Sequence, residues 1–193
     1  MPKLWSQTVE AHRHEVRDAI QAATARLVSE QGVRSVTMSR IAQETGIGRA
    51  TLYKYFPNVE SILRAWHERR IDDHLQELVA ASENRADPFD RLAAVLNAYG
   101  LIAHGSRGHR DTELASLMHG HHEGHDRAER QLRQLLRKVL YDAIPTGKVR
   151  DDVAVDELVE YCLHSLSAAG RLTSKPAVRR LVDLTIAGLQ PPK

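Results

Sequence analysis

A stretch near the N-terminus carries closely spaced side chains that can donate hydrogen bonds to a polyanion. Of the seven residues 49–55, five have donor side chains and none is a carboxylate; the five are Arg49, Thr51, Tyr53, Lys54 and Tyr55. Guanidinium and ammonium groups suit guanine edges and phosphates, and hydroxyls suit phosphate oxygens. The methyl group of Ala50 suits the methyl group of thymine. The pattern therefore favours a surface that binds double-stranded DNA.

The residues before this stretch predict the two short helices that would position it. Thr37 can cap a helix over residues 38–45, and its hydroxyl could also hold a phosphate. Gly46 can end that helix, because glycine adopts the left-handed conformation at little cost, and a second helix then runs over 49–56. Such a pair is a helix-turn-helix, whose second helix enters the major groove. The alternative is a corner that only turns the chain.

Residues 37–56, together with the Pro-Asn-Val-Glu-Ser-Ile-Leu run that follows, resemble the TetR family of bacterial transcriptional regulators. The resemblance covers roughly the first 70 residues and departs from the family pattern at two positions. Gly48 occupies a place where a Ser or Thr usually caps the recognition helix, and Val59 replaces a Lys that often contacts a phosphate. The resemblance implies a dimeric regulator that leaves DNA when a ligand binds.

Hydrophobic periodicity predicts an all-α fold with two parts, since no alternating pattern typical of strands occurs. We expect a three-helix head with the helix-turn-helix over residues 1–56 and a connecting helix over 57–82. A helical effector and dimerisation domain should occupy residues 83–193. Residues 1–8 look like an unstructured arm. The remaining helices are predicted over 9–31, 88–104, 112–119, about 132–140, 155–172 and 176–189.

Composition and charge exclude several classes of protein. The 193 residues carry a net charge of +2, divided as +4 over residues 1–70 and −2 over the rest, so only the front is basic. The chain lacks a membrane-spanning apolar run and a signal-peptide pattern, and with a single cysteine we expect a cytoplasmic protein. Neither a phosphate-binding glycine loop nor a nucleophile elbow is present. No enzyme activity and no cofactor are predicted, and a helical enzyme without a recognisable motif is a distant alternative.

The last two predicted helices carry more apolar positions than a single hairpin can bury. Their apolar residues cover wide arcs over about 155–189. Leaving apolar surface exposed to water is unfavourable by roughly 25 cal/mol per Å². A homodimer through a four-helix bundle would cover them, and its two-fold symmetry predicts a palindromic operator. The alternative is that both faces lie inside a larger monomeric core.

Residues 88–172 are the expected lining of an effector pocket. Tyr99, Met118, Tyr161 and His164 each place an aromatic or polarizable group on a mainly apolar face, although for any one of them alone ordinary core is the favoured interpretation. Pockets of this kind are mostly apolar with a few polar groups. The predicted effector is therefore a small hydrophobic or amphipathic molecule.

A histidine-rich segment over residues 104–125 suggests a second kind of regulator. It holds six of the eleven histidines, with His121 and His125 four residues apart, a spacing that on a helix can chelate a metal. Gly120 and Gly124 interrupt such a helix, so a solvated loop with no metal site is the favoured interpretation. A metal-sensing regulator is the alternative.

Overall fold

The computed structural model describes residues 3–33, 36–83, 85–106 and 122–192. Within these ranges the chain forms eight α-helices and no strand, which confirms the all-α prediction. The helices are α1 Lys3–Gln31, α2 Met38–Thr45, α3 Arg49–Tyr55, α4 Val59–Glu83, α5 Pro88–Gly105, α6 His122–Ala143, α7 Val155–Ser167 and α8 Lys175–Gly188.

The first helix differs from its prediction at the N-terminal end. α1 begins at Lys3, so residues 3–8 are helical and not an unstructured arm. No glycine or proline lies between Lys3 and Gly32 to interrupt the helix. Gly32 ends it with a φ of 78°, the left-handed conformation that glycine adopts at little cost.

The chain divides into two units within α4, one up to Arg70 and one from Ile71 onward. α4 itself is a single helix that runs through this division. The first unit packs α1, α2, α3 and the start of α4 around a small apolar core. Its most buried members are Ile20, Ile41, Leu52 and Ile62, with Phe56 2% exposed.

Polar and cationic contacts at the edge of this core hold α1 against the other helices of the first unit. The guanidinium of Arg17 lies 4.5 Å from the centre of the Phe56 ring. Arg69 of α4 forms an ion pair with Asp18 of α1. Because this pair is half exposed, it adds little stability compared with the apolar core.

The second unit is a bundle in which α5 packs against α6, α7 and α8. Gly100 of α5 permits the close approach to α8, since a methyl group added there would lie 3.0 Å from Val182. Asp87 caps α5 by accepting from the amides of Phe89 and Asp90. No helix among the described residues is long and apolar enough to cross a membrane.

The C-terminal helices end much as predicted, with 3-10 turns at two points. Pro145 lies in the turn Ile144–Thr146 that follows α6, and the turn Ala168–Arg171 replaces the last part of the helix predicted over 155–172. Cys162 is fully buried in the bundle, and burial raises the pKa of its thiol to about 12. The thiol therefore stays protonated and serves as a core residue.

Candidate nucleic-acid interface

The turn between α2 and α3 has the capping geometry that the sequence predicts. Thr37 precedes α2 in an extended conformation, and its hydroxyl oxygen accepts from the amide of Arg40 at 3.3 Å. Gly46 ends α2 with a φ of 69°, and its amide donates to the carbonyl of Gln43. Gly48, which precedes α3, makes no side-chain capping hydrogen bond. Thr37 thus fixes the start of α2, and the left-handed conformation of Gly46 allows the reversal between the two helices.

α3 separates buried apolar residues from exposed polar ones over seven residues. Leu52 is fully buried and anchors the helix to the core of the first unit, and Phe56 closes the same side. The exposed side carries five of the predicted contact residues, namely Arg49, Ala50, Thr51, Tyr53 and Lys54. No carboxylate interrupts this surface, which we call the donor face of α3.

Tyr55 differs from the other predicted contact residues because it is only partly exposed. Its ring packs against the core of the first unit. Tyr53, by contrast, is 47% exposed. Tyr55 therefore contributes to packing, and of the two tyrosines Tyr53 has the greater reach toward a ligand outside the protein.

A groove of about 710 Å³ lies on the surface of the first unit and brings three of the predicted residues together. Thr37, Arg49 and Tyr53 line it, while Ala50, Thr51 and Lys54 do not. The groove also contains polar residues that the sequence analysis does not assign to the site, namely Ser39, Asn58 and Glu60. Ser39 lies in the first turn of α2, whereas Asn58 and Glu60 belong to the start of α4, which lies beside α3 only in the folded unit.

The start of α4 is capped by two side chains that exchange hydrogen bonds. The amide of Ser61 donates to Oδ1 of Asn58 at 2.8 Å, and the Ser61 hydroxyl donates to the Asn58 carbonyl at 2.7 Å. Glu60 accepts from Arg64 at 3.1 Å, so its charge in the groove is paired. The one carboxylate in the described lining of the groove is thus paired with a cation.

A second cavity, of about 540 Å³, lies in the second unit. Two of the residues predicted for an effector pocket, Tyr99 and His164, are part of its lining. The side chain of Tyr161 is 39% exposed and lies against Gly188 of α8 instead. Met118 lies outside the described residues. The lining as a whole comprises Ile71, His74, Leu75, Leu78, Tyr99, Ile102, Ala128, Glu129, Leu132, Arg133, Leu163, His164 and Ser167.

The metal-sensing alternative depends on six histidines, of which His109, His119 and His121 lie outside the described residues. Gly124 lies within α6, so the prediction that it interrupts a helix is wrong. Among the residues that are described, no group of three or more His, Cys, Asp or Glu could hold a metal ion. His104, at the N-terminal end of the segment, has its Nδ1 3.3 Å from the carbonyl oxygen of Ala169.

Two family models match the chain, one for each unit. A model of bacterial regulatory proteins, tetR family, matches residues 20–66 and so includes α2 and α3. A model of the C-terminal domain of SbtR-like transcriptional regulators matches residues 87–191, more than half of the chain. Both models describe transcriptional regulators and not enzymes.

Individual proteins agree with these models. The nucleoid occlusion factor SlmA of Haemophilus influenzae (strain PittGG) is 27% identical over 132 residues, which are 68% of this chain and 57% of that protein. The chain thus spans little more than half the length of this relative. A TetR/AcrR regulator from Thermobifida fusca has the same fold, with a TM-score of 0.73 and 19% identity over 90% of this chain and 98% of that one.

A further solved structure has the same fold and contains a ligand. It is the transcriptional regulator FadR from Bacillus subtilis in complex with stearoyl-CoA, with a TM-score of 0.64 and 18% identity. The match covers 89% of this chain and 98% of that one. At this identity the likeness concerns the fold alone.

Proposed function

Since the chain belongs to the TetR family and is a DNA-binding transcriptional regulator, we propose that it acts as a homodimeric repressor. In this proposal a small hydrophobic or amphipathic ligand releases the dimer from a palindromic operator. The observation that carries the proposal is the donor face of α3, where cations and hydroxyls stand exposed on a helix anchored by Leu52.

The donor face divides into residues that read bases and residues that hold the backbone. Arg49 and Lys54 reach base edges or flanking phosphates, and Ala50 packs against a thymine methyl group. Thr37, Thr51 and Tyr53 donate to phosphate oxygens, with a smaller contribution from the half-buried Tyr55. The groove beside α3, which Thr37, Arg49 and Tyr53 share, is where one strand of the duplex would pass.

Exposed apolar side chains on α7 and α8 support the homodimer. Leu184 of α8 is 69% exposed and Tyr161 of α7 is 39% exposed, although both lie on helices whose other faces are buried. A two-fold partner across residues 155–189 would cover them and gain about 25 cal/mol per Å² of apolar area. The two copies of α3 would then contact half-sites about 34–36 Å apart or a multiple of that distance.

The cavity in the second unit is where we propose that the effector binds. Its volume lies in the range of known small-molecule sites, and about half of its lining is aliphatic. α4 supplies Ile71, Leu75 and Leu78 to this cavity and Val59 to the groove beside α3. A ligand that favours one position of α4 would therefore shift the population of DNA-competent molecules.

A mobility-shift titration of the full chain on the DNA flanking its own gene tests the proposal. We expect a shift at low salt that weakens steeply as salt rises, because counterions are released from the contacted phosphates. A folded dimer that shifts neither this DNA nor a library of random duplexes would contradict the proposal.

The dimer is tested separately by changing Leu184, its most exposed apolar residue. Leu184→Glu should shift the molecule toward the monomer in analytical ultracentrifugation, since a charge would be buried in the interface. Asp183→Asn, at the neighbouring exposed position, is the control and should leave the dimer intact. An unchanged dimer in Leu184→Glu would place the interface elsewhere.

A further inference from the structure

The cavity in the second unit has a polar side whose charges are unequal. Glu129 and Arg133 of α6 both line it, and Arg133 Nη2 donates to Glu129 Oε1 at 2.8 Å. Arg133 Nη1 also forms an ion pair with Glu160 of α7. One guanidinium thus contacts two carboxylates, and these three groups together carry a net charge of −1.

The remaining titratable groups of the described lining are two histidines and Tyr99. His164 of α7 has its Nδ1 2.9 Å from the carbonyl oxygen of Glu160 and 3.6 Å from its carboxylate. His74 lies on α4. No lysine or second arginine appears in the described lining. The one arginine of the described lining therefore contacts two carboxylates, Glu129 within the lining and Glu160 beside it.

We propose that this cavity selects amphiphiles with a cationic head, such as alkyl quaternary ammonium ions, over carboxylates of the same chain length. The inference rests on the proposed function, because it names the class of ligand that the effector cavity binds. The aliphatic residues of the lining, including Leu75, Ile102 and Leu163, contact the chain of the ligand, while its head lies beside Glu129.

Two physical reasons favour the cation. An anionic head near Arg133 would have to approach the two carboxylates that already occupy both terminal nitrogens of that guanidinium, and like charges repel at this distance. A quaternary ammonium is attracted by both carboxylates. Tyr99 also lines the cavity, and aromatic rings attract ammonium ions through their faces. The carboxylates are about half exposed, so the preference should be modest.

Calorimetric titration of the full chain with three ten-carbon ligands tests the inference directly. The ligands are decyltrimethylammonium, decanol and decanoate, each used below its micelle concentration. We expect decyltrimethylammonium to bind roughly fivefold more tightly than decanoate, with decanol between them. Decanoate binding as tightly as the ammonium ion, or more tightly, would overturn the inference.

Isosteric variants then assign the preference to the named carboxylates. Glu129→Gln and Glu160→Gln should each reduce the preference for the ammonium ion by roughly twofold or more, without loss of decanol binding. Glu30→Gln, which removes the same charge from an exposed residue of α1 that does not line the cavity, is the matched control. An ammonium preference that survives both cavity variants would overturn the assignment.

The titration also separates this inference from the proposed function. If none of the three ligands binds, the ligand-controlled part of the proposed function fails and the inference falls with it. If decanoate or decanol binds best, the effector cavity stands and only the charge preference is overturned. Affinity for DNA is measured in a separate mobility shift, so it is independent of both results.

Discussion

The donor face of α3 and the cavity of the second unit are assembled in opposite ways. The donor face comes from seven consecutive residues that project from one short helix, held by the buried Leu52. The cavity draws its lining from four helices, α4, α5, α6 and α7. Its polar side depends on ion pairs between residues distant in sequence, such as Arg133 with Glu160.

Because the two regions are assembled differently, we expect different substitutions to impair them. A surface built on one helix should lose function when a single anchor or a single donor is removed. A cavity built from several helices should tolerate the substitution of any one polar residue, with only a partial change in ligand affinity. Substitutions in each region test that contrast.

Truncation of a buried apolar side chain should have the largest effect. It should destabilise either unit, but it should weaken DNA binding in the first unit and ligand binding in the second. Leu52→Ala, in a fully buried position, should destabilise the first unit by about 2–5 kcal/mol and weaken DNA binding with it. Leu140→Ala, equally buried in the second unit, should cost about the same and impair ligand binding instead. Urea unfolding followed by circular dichroism measures both losses. A change below about 1 kcal/mol in Leu52→Ala would contradict its role as the anchor.

Removal of one exposed donor should affect DNA binding without affecting stability. Arg49→Ala should weaken binding to the specific operator by about 1–3 kcal/mol, whereas Tyr53→Phe should weaken binding to all sequences about equally. Arg130→Ala, at an exposed position of α6 outside the proposed dimer interface, is the control. Fluorescence anisotropy at fixed salt measures the three affinities, and an unchanged operator affinity in Arg49→Ala would remove that residue from the interface.

Substitution of two glycines that share a backbone conformation distinguishes the effect of local strain from an effect on DNA binding. Gly46 and Gly147 have φ values of 69° and 72°, and neither would bring a methyl group against a neighbour. Alanine at either position should cost about 1–2 kcal/mol, because a side chain is strained in the left-handed region. Thermal unfolding should show similar losses. Only Gly46→Ala, at the turn before α3, should also weaken DNA binding, and equal DNA affinity in the two variants would count against the role of that turn.

The smallest effect concerns the acid stability of the second unit. The backbone amide of Asp90 donates to Asp87, and this bond, helped by Lys148, lowers the pKa of that carboxyl below its usual value of 3.8. The charged cap therefore stabilises the folded state above pH 3.8, and its contribution is lost as the pH falls through the lowered pKa. Asp87→Asn should melt below the natural protein at neutral pH, with the difference shrinking below about pH 4. Calorimetric melting temperatures that differ equally at all pH values would contradict this.

Local patterns explain why the head could be predicted closely from the sequence. Thr37, Gly32 and Gly46 act through their own backbone and nearest neighbours, and all three cap or end helices where expected. The predicted start of α1 was wrong, because the residue types near a helix end do not determine how far the helix continues. Helix ends in general are the least fixed part of a helix.

The cavity could be predicted only in part, for a physical reason. Tyr99 and His164 could be chosen from the sequence and do line the cavity, although the side chain of His164 is 80% exposed and does not lie on the apolar face on which it was predicted. His74 and Glu129 could not, because only the packing of α4 and α6 with α5 and α7 brings them to the same space. Tyr161 lies outside the buried stripe of α7, and its ring lies against Gly188 on the exposed side. Periodicity identifies a face but not the neighbour that covers it.

The central claim is that two copies of the donor face of α3 contact one duplex. Selection of bound sequences from a random duplex library by the full chain, followed by sequencing, tests this most directly. We predict enrichment of a palindrome whose half-sites lie about 10–10.5 base pairs apart or a multiple of that spacing. The symmetric motif should vanish with Arg49→Ala. Enrichment of a single asymmetric site, or of no site at all by a folded protein, would contradict the account.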